Sequence, residues 1–301
     1  MQDRWRIGCL SVALALLLSS CSDFSKVQKG INDSSKYQAA VGYYNKSDWY
    51  HAGILFEEVI PVLKGSTESE MAQFYYAYTQ YHQQQYLLSS TLFKKFYETF
   101  ARSELAQEAM YMYAFSLYKD APDFNLDQSN TLTATSALQD FVNAYPDSKF
   151  RDECTKMIMT LRQKLERKAY EKARLYYKTS GFNIASYKSA VIAINNFQKE
   201  FPDSEYNEEL AFLKVDAEFS LAQNSLDIKQ KERYQEAISY YKGFREKYPK
   251  SKYLKQAERM SETSAKEVDR LAALEKEFEA EKAKAKATAD ANRPAKASSA
   301  N

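Results

Sequence analysis

A ten-residue pattern occurs three times in the 301-residue chain, and this repetition limits the fold more than any other feature. The three copies are FVNAYPDSKF at 141–150, FQKEFPDSEY at 197–206 and FREKYPKSKY at 244–253. Proline ends a helix because it lacks an N–H donor and disfavours helical geometry in the residue before it. The serine two residues after each proline can cap the next helix; these are Ser148, Ser204 and Ser251. Each copy therefore predicts the end of one helix and the start of another.

Small and large side chains recur at fixed distances before each proline. Twelve residues before it stand Ala134, Ala190 and Ala237, and five residues before it stand Phe141, Phe197 and Phe244. Two weaker copies without the proline keep the same spacing: Ala52, Phe56 and Val59, and then Ser89, Phe93 and Phe96. These offsets resemble the second helix of the tetratricopeptide repeat. They predict an all-α fold, a tetratricopeptide-like superhelix of about five helix pairs, in which each pair buries its apolar face by stacking on its neighbours.

The copies are farther apart than the roughly 34 residues of a bare tetratricopeptide unit, so longer helices or loops must separate them. Polar or glycine-containing stretches at 119–131, 178–186 and 222–233 are the predicted loops. Near the C-terminus, Val268, Leu271, Leu274 and Phe278 are spaced as on one face of a helix. They predict a capping helix with a charged outer face, and the Ala- and Lys-rich chain past about residue 285 is predicted to be a disordered spacer.

The N-terminus predicts export and lipid attachment. Arg4 and Arg6 precede an apolar block at 7–18, which is shorter than the roughly 20 apolar residues that a transmembrane helix needs. The block ends in LSSC at 18–21, which resembles the bacterial lipobox. That resemblance implies cleavage before Cys21, with S-diacylglycerol and N-palmitoyl groups on this cysteine and stable membrane anchoring. The alternative is an ordinary signal peptide with an incidental cysteine.

Four regions follow from these features. Residues 1–20 are a lipoprotein signal peptide, 21–33 a lipidated tether, and 34–268 the tetratricopeptide-repeat domain. Residues 269–301 are a charged helix extension and disordered tail.

Composition argues against an enzyme or a nucleic-acid binder. The 42 basic and 40 acidic residues nearly cancel, so no basic surface is available to attract phosphates. The two histidines, His51 and His82, share no metal-ligand spacing, and the seven glycines form no phosphate loop. With Cys9 in the signal peptide and Cys21 lipidated, Cys154 is the remaining thiol, and a buried helical position is favoured over a reactive one. We therefore expect no catalytic residue, no metal and no cofactor other than the covalent lipid.

A row of mostly aromatic residues offers a candidate binding surface. Tyr37, Val41 and Tyr44 are spaced i, i+4, i+7, and adding 37 to each number gives Phe74, Tyr78 and Tyr81. Ala40 and Ala77 occupy the equivalent small position, where this repeat family packs its two helices together. The six row residues are therefore candidates for a concave groove that holds an extended peptide. The alternative is that these rings fill the core between repeats.

Lipobox, short tether and five such repeats together resemble the BamD family of outer membrane assembly factors. The similarity covers about residues 34–266, and it includes YPDSKF, FPDSEY, YPKSKY and the segment LAQNSLDIKQKERYQEAISYYKGF. The chain departs from the family pattern where proline is missing, at Lys64 and Ala101, and in the charged tail after about residue 268.

The resemblance implies a non-enzymatic lipoprotein on the periplasmic face of the cell outer membrane. Its C-terminal repeats would hold the periplasmic domains of the insertase BamA, and its N-terminal repeats would receive the C-terminal strand of unfolded β-barrel substrates. Other Bam lipoproteins are further candidate partners. The alternative from another class is a periplasmic tetratricopeptide-repeat scaffold that organises cell-wall or cell-division proteins.

Overall fold

The computed structural model describes residues 24–29, 32–181 and 183–291. Within these ranges the chain forms a short helical segment at 24–29 and eleven longer helices, without any strand. The longer helices are α1 (Asp33–Asn45), α2 (Trp49–Val59), α3 (Glu68–His82), α4 (Tyr86–Thr99), α5 (Ala106–Asp120), α6 (Ser129–Ala144), α7 (Arg151–Thr179), α8 (Ala185–Glu200), α9 (Asn207–Gln223), α10 (Asp227–Lys247) and α11 (Leu254–Ala291). The predicted all-α, tetratricopeptide-like class is confirmed.

The first ten helices form the five predicted pairs, and α11 follows them as the capping helix. The chain divides into two compact units, Met1–Leu165 and Glu166–Asn301, and the boundary falls within α7. Unit 1 contains α1 to α6 and the beginning of α7. Unit 2 contains the rest of α7 and the helices from α8 to α11.

Small residues stand where the helices approach most closely. Ala52 and Ala134 in unit 1 are fully buried. In unit 2, Ala190 is fully buried and Ala237 is 1% exposed. In the second pair Ser89 takes this position, and its buried hydroxyl donates to the carbonyl of Ala77 at 3.1 Å. The serine is tolerated there because its polar group has a partner.

Each ten-residue repeat closes its own helix pair through its last aromatic ring. Phe150 stacks on Tyr111 at 4.0 Å between ring centroids, Tyr206 on Tyr170 at 4.0 Å, and Tyr253 on Phe212 at 4.6 Å. The repeat's serine accepts a hydrogen bond from the backbone N–H two residues on, and the next helix begins one residue later. The repeated pattern is thus a helix end, a serine-capped turn and an aromatic clamp, in that order along the chain.

Two of the three predicted loops are confirmed in outline, and one is wrong. The chain leaves α5 at Asp120 and enters α6 at Ser129, and it leaves α7 at Thr179 and enters α8 at Ala185. The stretch 222–233 is mostly helical, because α10 begins at Asp227. Its apolar residues Leu226 and Ile228 are exposed, so they give no buried periodicity from which a helix could be predicted.

Helix α11 also runs farther than predicted. It continues to Ala291, past residue 285, where the sequence analysis ended the ordered chain. Alanine, lysine and glutamate are strong helix formers, which favours the extension even without a neighbouring helix. The rest of the predicted tail lies outside the described residues.

The described part of the predicted tether packs against the first pair. Phe24 is buried, and its ring lies 5.7 Å from Tyr43 and 4.2 Å from His51. Gln28 donates to Glu58 of α2 at 2.6 Å. The predicted signal peptide and Cys21 lie outside the described residues. Among the helices that the structure describes, none has the length and apolar character needed to cross a bilayer.

Candidate functional site

The predicted aromatic rows lie on the first helices of pairs one and two. Helix α1 carries Tyr37, Val41 and Tyr44, and α3 carries Phe74, Tyr78 and Tyr81. Ala40 and Ala77, the small residues of the two helices, are fully buried, as their predicted role at the helix contact requires. The rows therefore occupy equivalent places on two parallel elements of unit 1.

The first row is half-buried against neighbouring rings. Tyr44 lies 4.5 Å from the ring of Tyr75 on α3, and it also packs edge-on against Trp49 at 5.2 Å. Tyr37 lies 6.3 Å from Phe56 of α2. Each tyrosine thus has one face in packing and keeps part of its surface accessible.

The second row divides between packing and exposure. Phe74 is only 5% exposed and lies 5.2 Å from Phe96, so this ring belongs to the core of unit 1. Tyr78 and Tyr81 are half-buried. The Tyr78 hydroxyl donates to Glu108 of α5 at 2.5 Å, and the Tyr81 ring lies 5.7 Å from Phe115 of the same helix. The partial exposure of Tyr78 and Tyr81 is compatible with a groove, whereas their contacts with α5 favour packing.

A third row, which the sequence analysis missed, continues the pattern on α5. Adding 37 once more gives Tyr111, Phe115 and Tyr118, with the fully buried Ala114 at the small position. The offset of 37 is visible in the sequence for this row as well. It was overlooked because the small residues of the second helices, Ser89 and Ala134, are 45 residues apart instead of 37. Most of the extra residues fall after the row, because the loop at 121–128 is longer than the turn at 83–85, so they do not disturb the register of the row.

Unit 2 carries the equivalent rows with a different chemistry. They are Tyr170, Arg174 and Tyr177 on α7 and Phe212, Asp216 and Phe219 on α9. The middle position is charged in both, where unit 1 has Val41, Tyr78 and Phe115.

Hydrogen bonds and an ion pair connect the row on α7 to helix α9. Tyr170 donates to Glu209 at 2.8 Å and Tyr177 donates to Asp216 at 2.9 Å. Arg174 pairs with Glu209 at 3.5 Å. Unit 1 therefore presents aromatic rows that are largely apolar, and unit 2 presents aromatic rows interrupted by charge.

The tyrosine hydroxyls of both units act as hydrogen-bond donors. Burial raises the pKa of Tyr44 to about 12, and burial followed by the bond to Glu209 raises the pKa of Tyr170 to about 12. The pKa of Tyr78 is raised in the same way, by burial first and then by Glu108. These phenols stay protonated near neutral pH. Their ring faces can pack against a partner, which is the chemistry of protein recognition surfaces.

The thiol of Cys154 lies in a position that disfavours reaction. Cys154 is fully buried, as predicted, and burial raises the pKa of its thiol to about 11. In the ranges that the structure covers, no cluster of three or more His, Cys, Asp or Glu side chains is placed to hold a metal ion.

Comparisons with known proteins identify the family. Among solved structures, the chain is similar to a candidate kinesin light chain of Podosopora anserina with nearly identical TPR-like repeats. The two share 13% identity, with 72% of this chain and 97% of that chain covered and a TM-score of 0.30. No curated protein matches the chain. Residues 30–185, just over half of the sequence, match the YfiO family, described as outer membrane lipoprotein. The chain therefore belongs to the YfiO family of outer membrane lipoproteins.

Proposed function

We propose that this protein is the BamD-type scaffold of the β-barrel assembly machinery, anchored by lipid on Cys21 to the periplasmic face of the outer membrane. Its unit 1 receives unfolded barrel substrates, and its unit 2 holds the periplasmic domains of BamA. The observation that carries the proposal is the contrast between the apolar rows of unit 1 and the charged rows of unit 2. No bond is made or broken in this function.

Unit 1 suits an apolar, extended target. Three aromatic rows recur at the same register on α1, α3 and α5, and the accessible parts of their half-buried rings can contact apolar side chains of a bound chain. A strand from an outer membrane barrel has alternating apolar residues and aromatic residues at the membrane interfaces. Rings at a regular spacing can contact such side chains without demanding one sequence.

Unit 2 suits a folded, polar partner. Arg174 lies 5.3 Å from the Tyr170 ring and 3.5 Å from Glu209, so its guanidinium is held in place before a partner arrives. Pre-ordered charges favour specific pairing and correct orientation between folded domains. The BamA periplasmic domains are the partner that we assign to this surface, and other Bam lipoproteins are candidates for additional contacts.

Two variants test the division of labour. Arg174→Ala should reduce recovery of BamA from mild detergent while leaving substrate crosslinking intact, and Lys178→Ala, an exposed position on the same helix, is its control. Tyr118→Ala should have the opposite effect, with weaker substrate crosslinking and normal BamA recovery. Loss of both activities in both variants would contradict the division.

Depletion tests the function as a whole. Loss of the protein should lower several outer membrane barrels together. Altered septation or cell-wall composition with normal barrel levels would instead support the cell-wall or cell-division scaffold. The lipid anchor has its own test, because Cys21→Ala should move the protein from the membrane to the soluble fraction.

A further inference from the structure

The turns inside pairs one and two lie together at one edge of unit 1, which we call the turn edge. They join α1 to α2 at 46–48 and α3 to α4 at 83–85. Each turn contains one non-glycine residue with positive φ, Ser47 at 60° and Gln84 at 62°, so the two turns share a geometry. The Gln83 side chain donates to the carbonyl of Trp49 at 3.2 Å, and Trp49 stacks on His82 at 4.0 Å. These contacts fix the two turns side by side.

Apolar side chains project from the turn edge into solvent. Tyr50 is 63% exposed, Leu87 is 60% exposed and Leu88 is 43% exposed. Tyr50 and Leu87 are 37 residues apart and hold the same position in successive pairs. In antiparallel helix pairs the connections between pairs lie at the other edge, where Val62 is 58% exposed. Several exposed apolar groups on one edge indicate a surface that contacts a protein partner or a membrane.

The turn edge carries almost no net charge. Lys46 and Asp48 in the first turn carry opposite charges. Asp48 Oδ2 also lies 2.8 Å from Nδ1 of His51. The second turn is three glutamines, residues 83–85. A surface that attracts anionic lipids needs a cluster of basic residues, so any lipid contact here depends on apolar burial instead.

The chain that leads to Cys21 begins beside this edge. Phe24 packs on His51, in the first turn of α2, at 4.2 Å between ring centroids. Cys21 is three residues before Phe24, and an extended backbone spans at most about 3.6 Å per residue, or about 11 Å here. A lipid on Cys21 would therefore keep Phe24, and with it the first turn, close to the bilayer interface.

We propose that the turn edge of pairs one and two rests in the interface of the phospholipid bilayer, with Trp49, Tyr50, Leu87 and Leu88 at the level of the headgroups. This inference rests on the proposed lipid anchor at Cys21. Tryptophan and tyrosine favour that depth because their rings are apolar and their N–H and O–H groups remain hydrated. The contact would orient unit 1 on the membrane, which a lipid anchor alone could not do.

The chain supplies its own probe. Its two tryptophans are Trp5, in the predicted signal peptide, and Trp49, so the tryptophan emission of the mature lipoprotein comes from Trp49 alone. The full mature lipoprotein is reconstituted into vesicles of phosphatidylethanolamine and brominated phosphatidylcholine, and flotation is measured beside fluorescence. Bromine quenches at short range, so Trp49 should lose much of its emission relative to vesicles without bromine.

A matched variant moves the probe to the other edge. In the double variant Trp49→Phe, Val62→Trp, the single indole lies between α2 and α3 and should be quenched several-fold less. Leu87→Ser together with Leu88→Ser should weaken quenching of Trp49 without changing flotation, and helicity checks folding in each case.

The outcomes distinguish failure of the lipid anchor from failure of the membrane contact at the turn edge. A protein that does not float with vesicles contradicts lipid attachment at Cys21. A protein that floats while Trp49 keeps its full emission overturns the membrane contact alone, and would assign the edge to a protein partner. Equal quenching of both indole positions would also overturn it, because an unoriented body exposes both edges alike.

Discussion

The rings of Tyr111 and Phe150 lie almost parallel, 4.0 Å apart between centroids and inclined by 10°. Tyr111 belongs to the first helix of its pair, and Phe150 ends the ten-residue repeat that follows the second helix. The same arrangement recurs in unit 2, where Tyr170 and Tyr206 are inclined by 16°. The clamp explains why the repeat ends in an aromatic residue.

Removing the clamp should destabilise unit 1. Phe150→Ala should lower its free energy of unfolding by about 1 to 3 kcal/mol, because it removes apolar burial and a stacked aromatic pair. Denaturant unfolding followed by circular dichroism measures the change. Phe150→Tyr is the control, since tyrosine takes this position at 206 and 253, and it should be nearly neutral. Equal losses of unfolding free energy in the two variants would contradict a stabilising role for the aromatic stacking.

A buried carboxyl should make the stability of unit 2 depend on pH. Glu218 of α9 is 4% exposed, and burial followed by the nearby carboxylate of Glu236 raises its pKa to about 7. It lines a cavity of about 390 Å³, and Arg233 of α10 and Lys188 of α8 line the same cavity. The native state thus holds a proton that the unfolded chain releases near pH 4.5, so this contribution to stability is complete below pH 4.5 and is lost as pH rises through about 7.

Replacing the carboxyl isolates its effect. Glu218→Gln keeps a neutral side chain at every pH, so the variant should gain stability relative to the natural protein as pH rises from 4.5 to about 7. Urea midpoints across that range provide the comparison, and Glu205→Gln, an exposed change in the turn between α8 and α9, serves as the control. A constant difference between Glu218→Gln and the natural protein would refute the assignment.

The thiol of Cys154 should be inert in the folded protein. It is fully buried, and its pKa of about 11 leaves little thiolate near neutral pH. The mature lipoprotein should therefore show almost no thiol reaction when native and one reactive thiol after denaturation. A second thiol would mean that Cys21 is free, and rapid native labelling would contradict the buried position.

Much of the fold followed from residue spacing. Proline, serine and small residues mark helix ends and close contacts by local chemistry, so the five pairs could be predicted from Ala52 to Ala237. The helix at 227–233 could not, because the apolar side chains of Leu226 and Ile228 face solvent and hide the helical period. The length of α11 was also missed, since a helix without a neighbour leaves no apolar pattern.

The candidate site was predictable only in part. A fixed offset of 37 places the rows on α1 and α3 and would have placed the row on α5. Spacing alone could not tell that Phe74 is core while Tyr44 is half-exposed, because this depends on which helix covers each ring. The bonds from Tyr170 and Tyr177 to acids 39 residues away likewise required three-dimensional packing.

The central claim is that the aromatic rows of unit 1 bind an extended apolar chain. Tyr43 and Tyr44 are neighbours on α1 and both are half-buried, but Tyr44 belongs to the row and Tyr43 packs on Phe24. Their alanine variants should lower the melting temperature comparably, so binding can be compared at matched stability.

The most direct measurement is the dissociation constant of a labelled peptide with alternating apolar residues and a C-terminal aromatic, determined by fluorescence anisotropy for both variants. Tyr44→Ala should weaken binding by roughly ten-fold, the effect of losing about 1.4 kcal/mol of contact, while Tyr43→Ala should leave it unchanged. Equal weakening in both, or none in either, would contradict a peptide groove on these rows and favour a role in packing alone.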